Sequence, residues 1–308
     1  MPVSSPYAAA LERVPVREGE VRLLGSSTRY WDYGDPDAAT TLVLVHGFRG
    51  DHHGLEPVVA QLDGVRMVSP DLPGFGASTP MTEAAHDIGG YGRWLTEFVA
   101  ALGIPADARL VLLGHSFGSI VVSGSLAASG AGSADDRRPD DVVLVNPIGQ
   151  PALAGPRGIL TRLAIFYYWL AAVLPERLGF ALLRNRLIVR VMSVAMAKTK
   201  DAALRRWIHD QHDRYFSAFS DRRVVLEAFR ASVSHDVSEY AARVPERTLL
   251  VAAEKDDITP VAAEYRLQTL FPSAELVVIP EVGHLIHYET PAAAADAIRR
   301  FLDEGTAA

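Results

Sequence analysis

The chain has no cysteine, which excludes disulfide bonds, thiolate metal sites and a cysteine nucleophile. It also lacks a long apolar run: the most apolar stretch, Ile159–Leu174, is interrupted by Arg162 and is shorter than the roughly 20 residues of a membrane-spanning helix. A net charge of −7 argues against a nucleic-acid partner. Because Met1–Arg13 has no basic start followed by an apolar segment, we predict no secretory signal and a cytoplasmic location.

Short apolar runs alternate with longer segments of helical periodicity along most of the chain. The runs are too short for helices and show no polar alternation, as expected of strands buried on both faces of a mostly parallel sheet. They are Leu42–Val45, Arg66–Ser69, Leu110–Leu113, Val142–Val145, Leu249–Ala252 and Leu276–Ile279, with an antiparallel edge pair at Val21–Leu24 and Arg29–Tyr33. The helical segments are Leu55–Leu62, Tyr91–Leu102, Gly118–Ala128, Val261–Phe271 and Pro291–Asp303. The pattern predicts an α/β fold with helices on both faces of an eight-stranded sheet.

The alternation breaks between Val145 and Leu249, where about 100 residues contain helical patterns and no convincing strand. A structureless loop of that length is unusual in a compact domain, so we predict a helical cap inserted after strand 6. The predicted division is a core in residues 1–147 and 241–308, with a cap in residues 148–240.

The strongest chemical signal is Gly114-His115-Ser116-Phe117-Gly118, directly after a predicted strand and before a predicted helix. A serine in such a tight strand-to-helix turn projects its hydroxyl away from the backbone, and the flanking glycines leave it room. We therefore predict that Ser116 is a nucleophile. A chance match to so short a pattern is the alternative, and the placement between strand and helix argues against it.

Three further signals follow predicted strands, whose carboxyl ends meet at one edge of the sheet. After Leu42–Val45 comes His46-Gly47-Phe48, and the backbone amides of Phe48 and Phe117 are predicted to bind an oxyanion, with His46 as a structural turn residue. Asp256 and Asp257 follow the seventh strand, and either can orient a histidine. His284 follows the last strand. The chain order of serine, acid and histidine is the one expected of a catalytic triad on this fold.

In these motifs the chain resembles the α/β-hydrolase superfamily, specifically its lidded serine esterase and lipase-like group, over roughly Val21 to Phe301. The segment Asp71–Ser78 matches a loop that marks the fold. The resemblance assigns the acid to Asp256, with Asp257 as the fallback; the family's glycine is replaced here by Ala253. Some members carry the acid after the sixth strand, where this chain has Asn146. His287 is expected to be a structural neighbour of the catalytic histidine.

The resemblance implies hydrolysis of hydrophobic carboxylic esters through an acyl-enzyme, with no metal or organic cofactor. Ser116 disfavours relatives that use an aspartate nucleophile, such as dehalogenases and epoxide hydrolases. Phe48-Arg49-Gly50 does not match the glycine-proline-glycine run common in carbon–carbon bond hydrolases. That activity and cofactor-free perhydrolysis, which uses the same triad, remain alternatives. A low-turnover ligand-binding sensor on the same fold is an alternative of another class.

Positive charge is concentrated in one part of the predicted cap. Ile148–Lys200 contains eight basic residues and one acidic residue, Glu176, so it carries +7 and the rest of the chain carries −14. Two interpretations fit this basic and apolar segment. Its helices pack on the core with arginines extending to water, or its surface meets anionic lipid, or an acyl substrate with a negative head, at the periphery of a membrane.

Overall fold

The computed structural model describes residues 3–128, 137–152 and 158–306, with no side-chain description for residues 158–161 and 306. Arg157, counted above in the basic segment, lies outside the described residues. Eight strands form one sheet in the order β1-β2-β4-β3-β5-β6-β7-β8. The strands are β1 (Val16–Leu23), β2 (Ser26–Tyr33), β3 (Thr40–Val45), β4 (Arg66–Pro70), β5 (Arg109–His115), β6 (Asp141–Val145), β7 (Arg247–Ala253) and β8 (Ala274–Ile279).

The sheet is parallel from β4 through β8, while β2 pairs antiparallel with both β1 and β4. The predicted mostly parallel, eight-stranded sheet with an antiparallel edge pair is thus confirmed. The edge strands are longer than predicted, because much of β1 is polar and exposed and so lacks an apolar run that would mark its start.

Helices cover both faces of the sheet. They are α1 (Ala8–Leu11), α2 (Glu56–Val59), α3 (Ile88–Ala101), α4 (Phe117–Ala128), α5 (Gly158–Val173), α6 (Glu176–Leu183), α7 (Arg186–Met196), α8 (Ala202–Tyr215), α9 (Arg222–Ser234), α10 (Val261–Gln268), α11 (Ile286–Glu289) and α12 (Pro291–Thr306). The predicted start of α3 at Tyr91 was late. The helix begins at Ile88, where the Asp87 carboxylate caps it by accepting a 2.8 Å hydrogen bond from the Gly90 amide.

Alternate residues of the central strands enter two separate apolar cores. In β3, Val43 and Val45 join the core that contains Trp94 of α3. Leu42 and Leu44 point the other way, into the core that contains Ile298 of α12. Because both faces are covered, the middle residues of the central strands are apolar on both sides of the sheet, and this rigid layer fixes the loops at their carboxyl ends.

Helices α5 to α9, here called the cap helices, follow β6 and precede β7. They occupy the stretch in which a helical insertion was predicted, while the division at residues 148 and 240 stays a prediction. None of the helices in the described ranges is long and apolar enough to cross a bilayer.

Candidate active site

Ser116 lies in the sharp turn between β5 and α4, with a backbone φ of 53° that L-residues other than glycine seldom adopt. The turn brings neighbouring backbone very close. A Cβ atom on Gly118 would lie 2.1 Å from the Val45 carbonyl oxygen, and one on Gly114 would lie 2.5 Å from the Gly118 carbonyl oxygen. The flanking glycines are therefore required sterically, and a strained serine is held at the edge of the sheet.

The three side chains of the predicted triad meet at this edge. The Ser116 hydroxyl oxygen lies 2.8 Å from Nε2 of His284, and Nδ1 of His284 lies 2.8 Å from Oδ2 of Asp256. Their loops follow β5, β8 and β7, which are parallel strands of one sheet, so the loops lie at the same edge. The spacing is that of two hydrogen bonds in series, which allows the imidazole to exchange a proton with the serine while the carboxylate holds its other nitrogen.

Asp256 is buried, with 7% of its surface exposed, yet it accepts several hydrogen bonds. Its Oδ1 accepts from the amides of Ile258 at 2.7 Å and Thr259 at 3.2 Å. Burial alone would raise the pKa of Asp256, but the charge and hydrogen bond of His284, together with these amides, bring the pKa below its usual value. The carboxylate is therefore ionised at neutral pH and able to stabilise an imidazolium.

Asn146 is a residue of this site that the sequence analysis used only as an argument against a second acid. Its side-chain amide donates a 3.0 Å hydrogen bond to Oδ2 of Asp256, the oxygen that also contacts His284. Asn146 has a φ of 46° at the end of β6. Its place in the family pattern was the signal that could have identified it. Asp257, the fallback acid, forms an ion pair with Lys198 of the cap segment.

Phe48 and Phe117, whose amides were predicted to bind the oxyanion, lie near each other, with their ring centroids 6.3 Å apart. Phe48 is in a turn closed by a 3.0 Å hydrogen bond from the Gly50 amide to the Gly47 carbonyl. Phe117 is the first residue of α4, where backbone N–H groups have no partner within the helix. Both residues line the same cavity as Ser116 and His284. Their role as oxyanion donors stays a prediction.

Two cavities border Ser116 and His284. The larger, of about 320 Å³, is enclosed mainly by apolar side chains from the core and the cap helices, including Phe117, Ile148, Ala164, Met196 and Val233. The smaller, of about 190 Å³, is also bordered mainly by apolar surface, although its wall includes Arg49, Asp51, Gln211, His212 and Tyr215. A substrate that spans the serine therefore meets mainly apolar surface on both sides, with a few hydrogen-bonding groups in each wall.

The other histidines near the site are buried and held neutral. Nε2 of His46 accepts a 2.8 Å hydrogen bond from the Leu72 amide, and its Nδ1 lies 2.8 Å from the Gly47 carbonyl oxygen, as predicted for a structural turn residue. Burial lowers the pKa of His46. The rings of His115 and His287 lie 4.1 Å apart, and burial lowers the pKa of His115 to about 3. Burial likewise brings the pKa of His287 well below its usual value.

Arg49 is a second residue that the sequence analysis missed. It follows Phe48, has a φ of 62°, and is 1% exposed. Its guanidinium donates to the carbonyl oxygens of Leu183 and Phe216, at 2.7 and 2.9 Å, and to the Tyr168 hydroxyl at 3.2 Å. Tyr168 and Leu183 lie in cap helices α5 and α6, and Phe216 directly follows cap helix α8. Arg49 therefore connects the predicted oxyanion loop to the cap.

One group of side chains has the composition of a metal site. The ligand atoms of Asp51, His52 and His53 lie within 4.8 Å of one another. They already have partners, since Nδ1 of His52 lies 2.9 Å from Asp71 and Nδ1 of His53 lies 3.1 Å from Asp51. The His52 ring also stacks on Trp31, with centroids 3.2 Å apart. Within this hydrogen-bonded group, Asp51 also lines the smaller cavity.

Comparisons with known proteins agree with this geometry. Residues 42–297 match the model of the alpha/beta hydrolase family. Lipase 1 of Psychrobacter immobilis is 24% identical over 274 residues, which cover 86% of this chain and 77% of that protein. An esterase from Thermogutta terrifontis has a similar structure, with a TM-score of 0.71 and 20% identity over 94% of this chain and 99% of the esterase. The 2-hydroxy-6-oxo-6-phenylhexa-2,4-dienoate hydrolase of Rhodococcus sp. strain RHA1 also has a similar structure, with a TM-score of 0.69 and 21% identity over 96% of this chain and 100% of that hydrolase.

Proposed function

Because the chain belongs to the alpha/beta hydrolase family, as its motifs predicted, we propose that it is a serine hydrolase of carboxylic esters with hydrophobic acyl groups. The observation that carries the proposal is the hydrogen-bonded series Ser116–His284–Asp256 beside a cavity with apolar walls. The similarity to a lipase and an esterase supports the choice of an ester. We expect no requirement for a metal or an organic cofactor.

In the proposed mechanism the Ser116 hydroxyl attacks the ester carbonyl carbon while Nε2 of His284 takes its proton. The carbonyl oxygen becomes an oxyanion that accepts hydrogen bonds from the amides of Phe48 and Phe117. His284 then gives the proton to the leaving alcohol, and an acyl-enzyme remains on Ser116. Water repeats these steps and releases the acid. Asp256 fixes the orientation of the imidazole and stabilises its charged form.

The two cavities support an assignment of the two halves of the ester. The larger, about 320 Å³ with apolar walls, suits the acyl chain. The smaller cavity, of about 190 Å³, is also bordered mainly by apolar surface, and we assign it to a smaller alcohol group. In this proposal the cap helices act as a lid, because Ala164 and Met196 form part of the acyl wall.

The test is a panel of p-nitrophenyl esters with acyl chains from acetyl to dodecanoyl. We expect saturable hydrolysis with a preference for acyl chains longer than acetyl, and a loss of about 10⁴-fold or more in kcat in Ser116→Ala. Ser123→Ala is the matched control, since this buried hydroxyl lies on α4, remote from His284, and hydrogen-bonds to no described residue. Undiminished hydrolysis in Ser116→Ala would exclude the proposed nucleophile.

A second candidate reaction is carbon–carbon bond hydrolysis, because a solved structure of similar fold is a hydrolase of a dienoate that contains no ester bond. The panel therefore includes a vinylogous diketone. Turnover of the diketone but not of the esters would favour this reaction. A sensor would instead show one slow turnover and a rise in melting temperature with ligand.

A further inference from the structure

The cap helices expose an unusual amount of apolar surface. Of the thirteen large hydrophobic side chains that are exposed among the described residues, eight lie on α5, α6 and α7. They are Leu163, Phe166, Trp169, Val173, Leu178, Leu187, Val191 and Val194, each at least 55% exposed, and we call them the outer cap face. Single exposed apolar residues are ordinary, but this concentration on three consecutive helices indicates a binding surface.

On α5 the exposed residues form one stripe. Since successive residues of an α-helix are about 100° apart, Leu163, Phe166, Trp169 and Val173 share an arc of roughly 120°. The rings of Phe166 and Trp169 stack with their centroids 5.6 Å apart. The opposite side of the helix packs against α9, since Tyr168 is 3% exposed and stacks on Phe229. The stripe is therefore not needed for packing within the described part of the chain.

Helix α7 is apolar on two sides. Met192 and Met196 face the cavities that border Ser116, whereas Leu187, Val191 and Val194 are 57–77% exposed. The residue after Val194, Ala195, is exposed and also lines the larger cavity. The exposed stripe of α7 thus extends to the mouth of the cavity proposed to hold the acyl chain.

The charge around the outer cap face is of one sign. Helices α5 to α7 and the turns between them carry five arginines and one acid, Glu176. Arg190 pairs with Asp213, but no acidic side chain in the described ranges pairs with the other four, which are Arg162, Arg177, Arg184 and Arg186. Arginines beside exposed tryptophan, phenylalanine and leucine are the combination that binds the headgroup region of anionic lipid.

We propose that the outer cap face binds the surface of an anionic membrane and brings the mouth of the larger cavity to the lipid. A second copy of the chain fits the face less well, because a two-fold dimer through it would bring together two surfaces of the same positive sign. The binding goes beyond the proposed function, since it does not require turnover. It is therefore measured on full-length Ser116→Ala protein.

The experiment is co-sedimentation with vesicles of phosphatidylcholine alone or with about one third phosphatidylglycerol, at low and high salt. We expect binding to the anionic vesicles, weakened by salt, with a blue shift of the emission of exposed Trp169. Trp94 and Trp207 are buried and Trp31, in β2, is half-buried. A shift that is lost in Trp169→Phe therefore reports the outer cap face. Equal binding to neutral vesicles, or none to either, would overturn the proposal.

Two pairs of substitutions locate the charge contribution. Arg177→Gln with Arg186→Gln removes two exposed cations from the cap, and we expect the partition coefficient on anionic vesicles to fall about tenfold or more. Arg22→Gln with Arg93→Gln removes two exposed cations from the core and is the matched control. An equal fall in both pairs indicates attraction by net charge alone and would contradict a specific face.

The apolar contribution is tested with Leu187→Ser and Val191→Ser together, against Leu270→Ser, an exposed leucine of the core. Only the pair on α7 should lose binding. With Ser116 restored, the same pair should keep its rate on soluble p-nitrophenyl butyrate and lose rate on a long-chain ester held in anionic vesicles. If the α7 pair loses vesicle binding because it converts a dimer to a monomer, the outer cap face is a protein–protein interface and the proposal is wrong.

Discussion

The guanidinium of Arg49 donates a 2.7 Å hydrogen bond to the carbonyl oxygen of Leu183, the last residue of α6. This contact joins the loop after β3 to a helix more than 130 residues away. The guanidinium also lies over the rings of Phe216 and Phe219, 5.2 and 5.3 Å from their centroids. No carboxylate in the described ranges pairs with it, so its charge is compensated by carbonyl dipoles and aromatic faces.

Arg49 is expected to position the Phe48 amide, one peptide away. Arg49→Met keeps much of the volume but leaves three buried acceptors without a donor, which should lower the free energy of unfolding by about 2–4 kcal/mol. The loosened turn should lower kcat on p-nitrophenyl butyrate by about tenfold to a hundredfold, because the oxyanion donor is displaced in the transition state. Steady-state kinetics below the melting temperature, with KM determined separately, measures this effect.

Arg177→Met is the control for Arg49→Met, since Arg177 is an exposed arginine of the same cap with no acidic partner in the described ranges. It should change neither stability nor kcat appreciably. A variant at position 49 with lowered stability and an unchanged kcat would show that Arg49 only supports the fold.

The contact between Asn146 and Asp256 predicts that a carboxylate at position 146 can partly replace the one at position 256. Asp256→Asn should lower kcat by about 10⁴-fold, because the imidazole loses its charged partner and correct tautomer. The Asn146 amide lies 3.0 Å from the Asp256 oxygen that contacts His284. Adding Asn146→Asp to Asp256→Asn exchanges the two side-chain types, and we expect at least about tenfold of the lost kcat to return.

The single variant Asn146→Asp tests the same geometry in the opposite direction. It places two carboxylates side by side in a buried site, so one of them should bind a proton and activity should fall at neutral pH. A double variant no more active than Asp256→Asn would show that a carboxylate at position 146 cannot reach the imidazole.

The central sheet and the meeting of Ser116, Asp256 and His284 could be predicted because parallel strands leave a strong local signal. The middle residues of these strands are apolar on both faces of the sheet, and their loops necessarily converge at one edge. The partners of Arg49 could not be predicted in this way. They are backbone carbonyls of distant cap residues, and every residue has a carbonyl, so nothing in the local sequence distinguishes Leu183 or Phe216 as an acceptor. Asn146 was visible only as a departure from a family pattern.

Gly118 should tolerate no side chain. The Cβ atom of Gly118→Ala would lie 2.1 Å from the Val45 carbonyl oxygen, so β3 or α4 must move. We expect the free energy of unfolding from urea titration to fall by about 3 kcal/mol or more, or the protein to be insoluble. Gly54→Ala is the control, because its Cβ would meet only the Tyr288 hydroxyl at 3.6 Å, an ordinary contact. Similar stability of the two variants would contradict the close approach at Ser116.

Buried His212 should make the folded protein sensitive to acid. It is 3% exposed, its Nδ1 lies 2.7 Å from the Ser193 hydroxyl, and burial lowers its pKa to about 3 from an ordinary value of 6.5. Between those values the unfolded chain binds a proton at this residue and the folded chain does not. The contribution is therefore fully present above pH 6.5 and falls by about 1.4 kcal/mol per pH unit as the pH decreases toward 3.

His212→Gln keeps a hydrogen-bonding side chain near Ser193 and removes the titration. Urea unfolding of the variant between pH 6 and 4.5 should therefore show a slope of free energy against pH smaller than that of the unsubstituted chain, by about 1.4 kcal/mol per unit. Taking the difference cancels other groups, such as Glu264, whose pKa is raised by burial and whose contribution has the opposite sign. His53→Gln is the control, because the contact with Asp51 raises the pKa of His53 despite its partial burial. Between pH 6 and 4.5 this histidine is largely protonated in both the folded and the unfolded chain, so its loss should leave the slope almost unchanged. A slope for His212→Gln equal to that of the unsubstituted chain would mean that His212 is not held neutral in the folded protein.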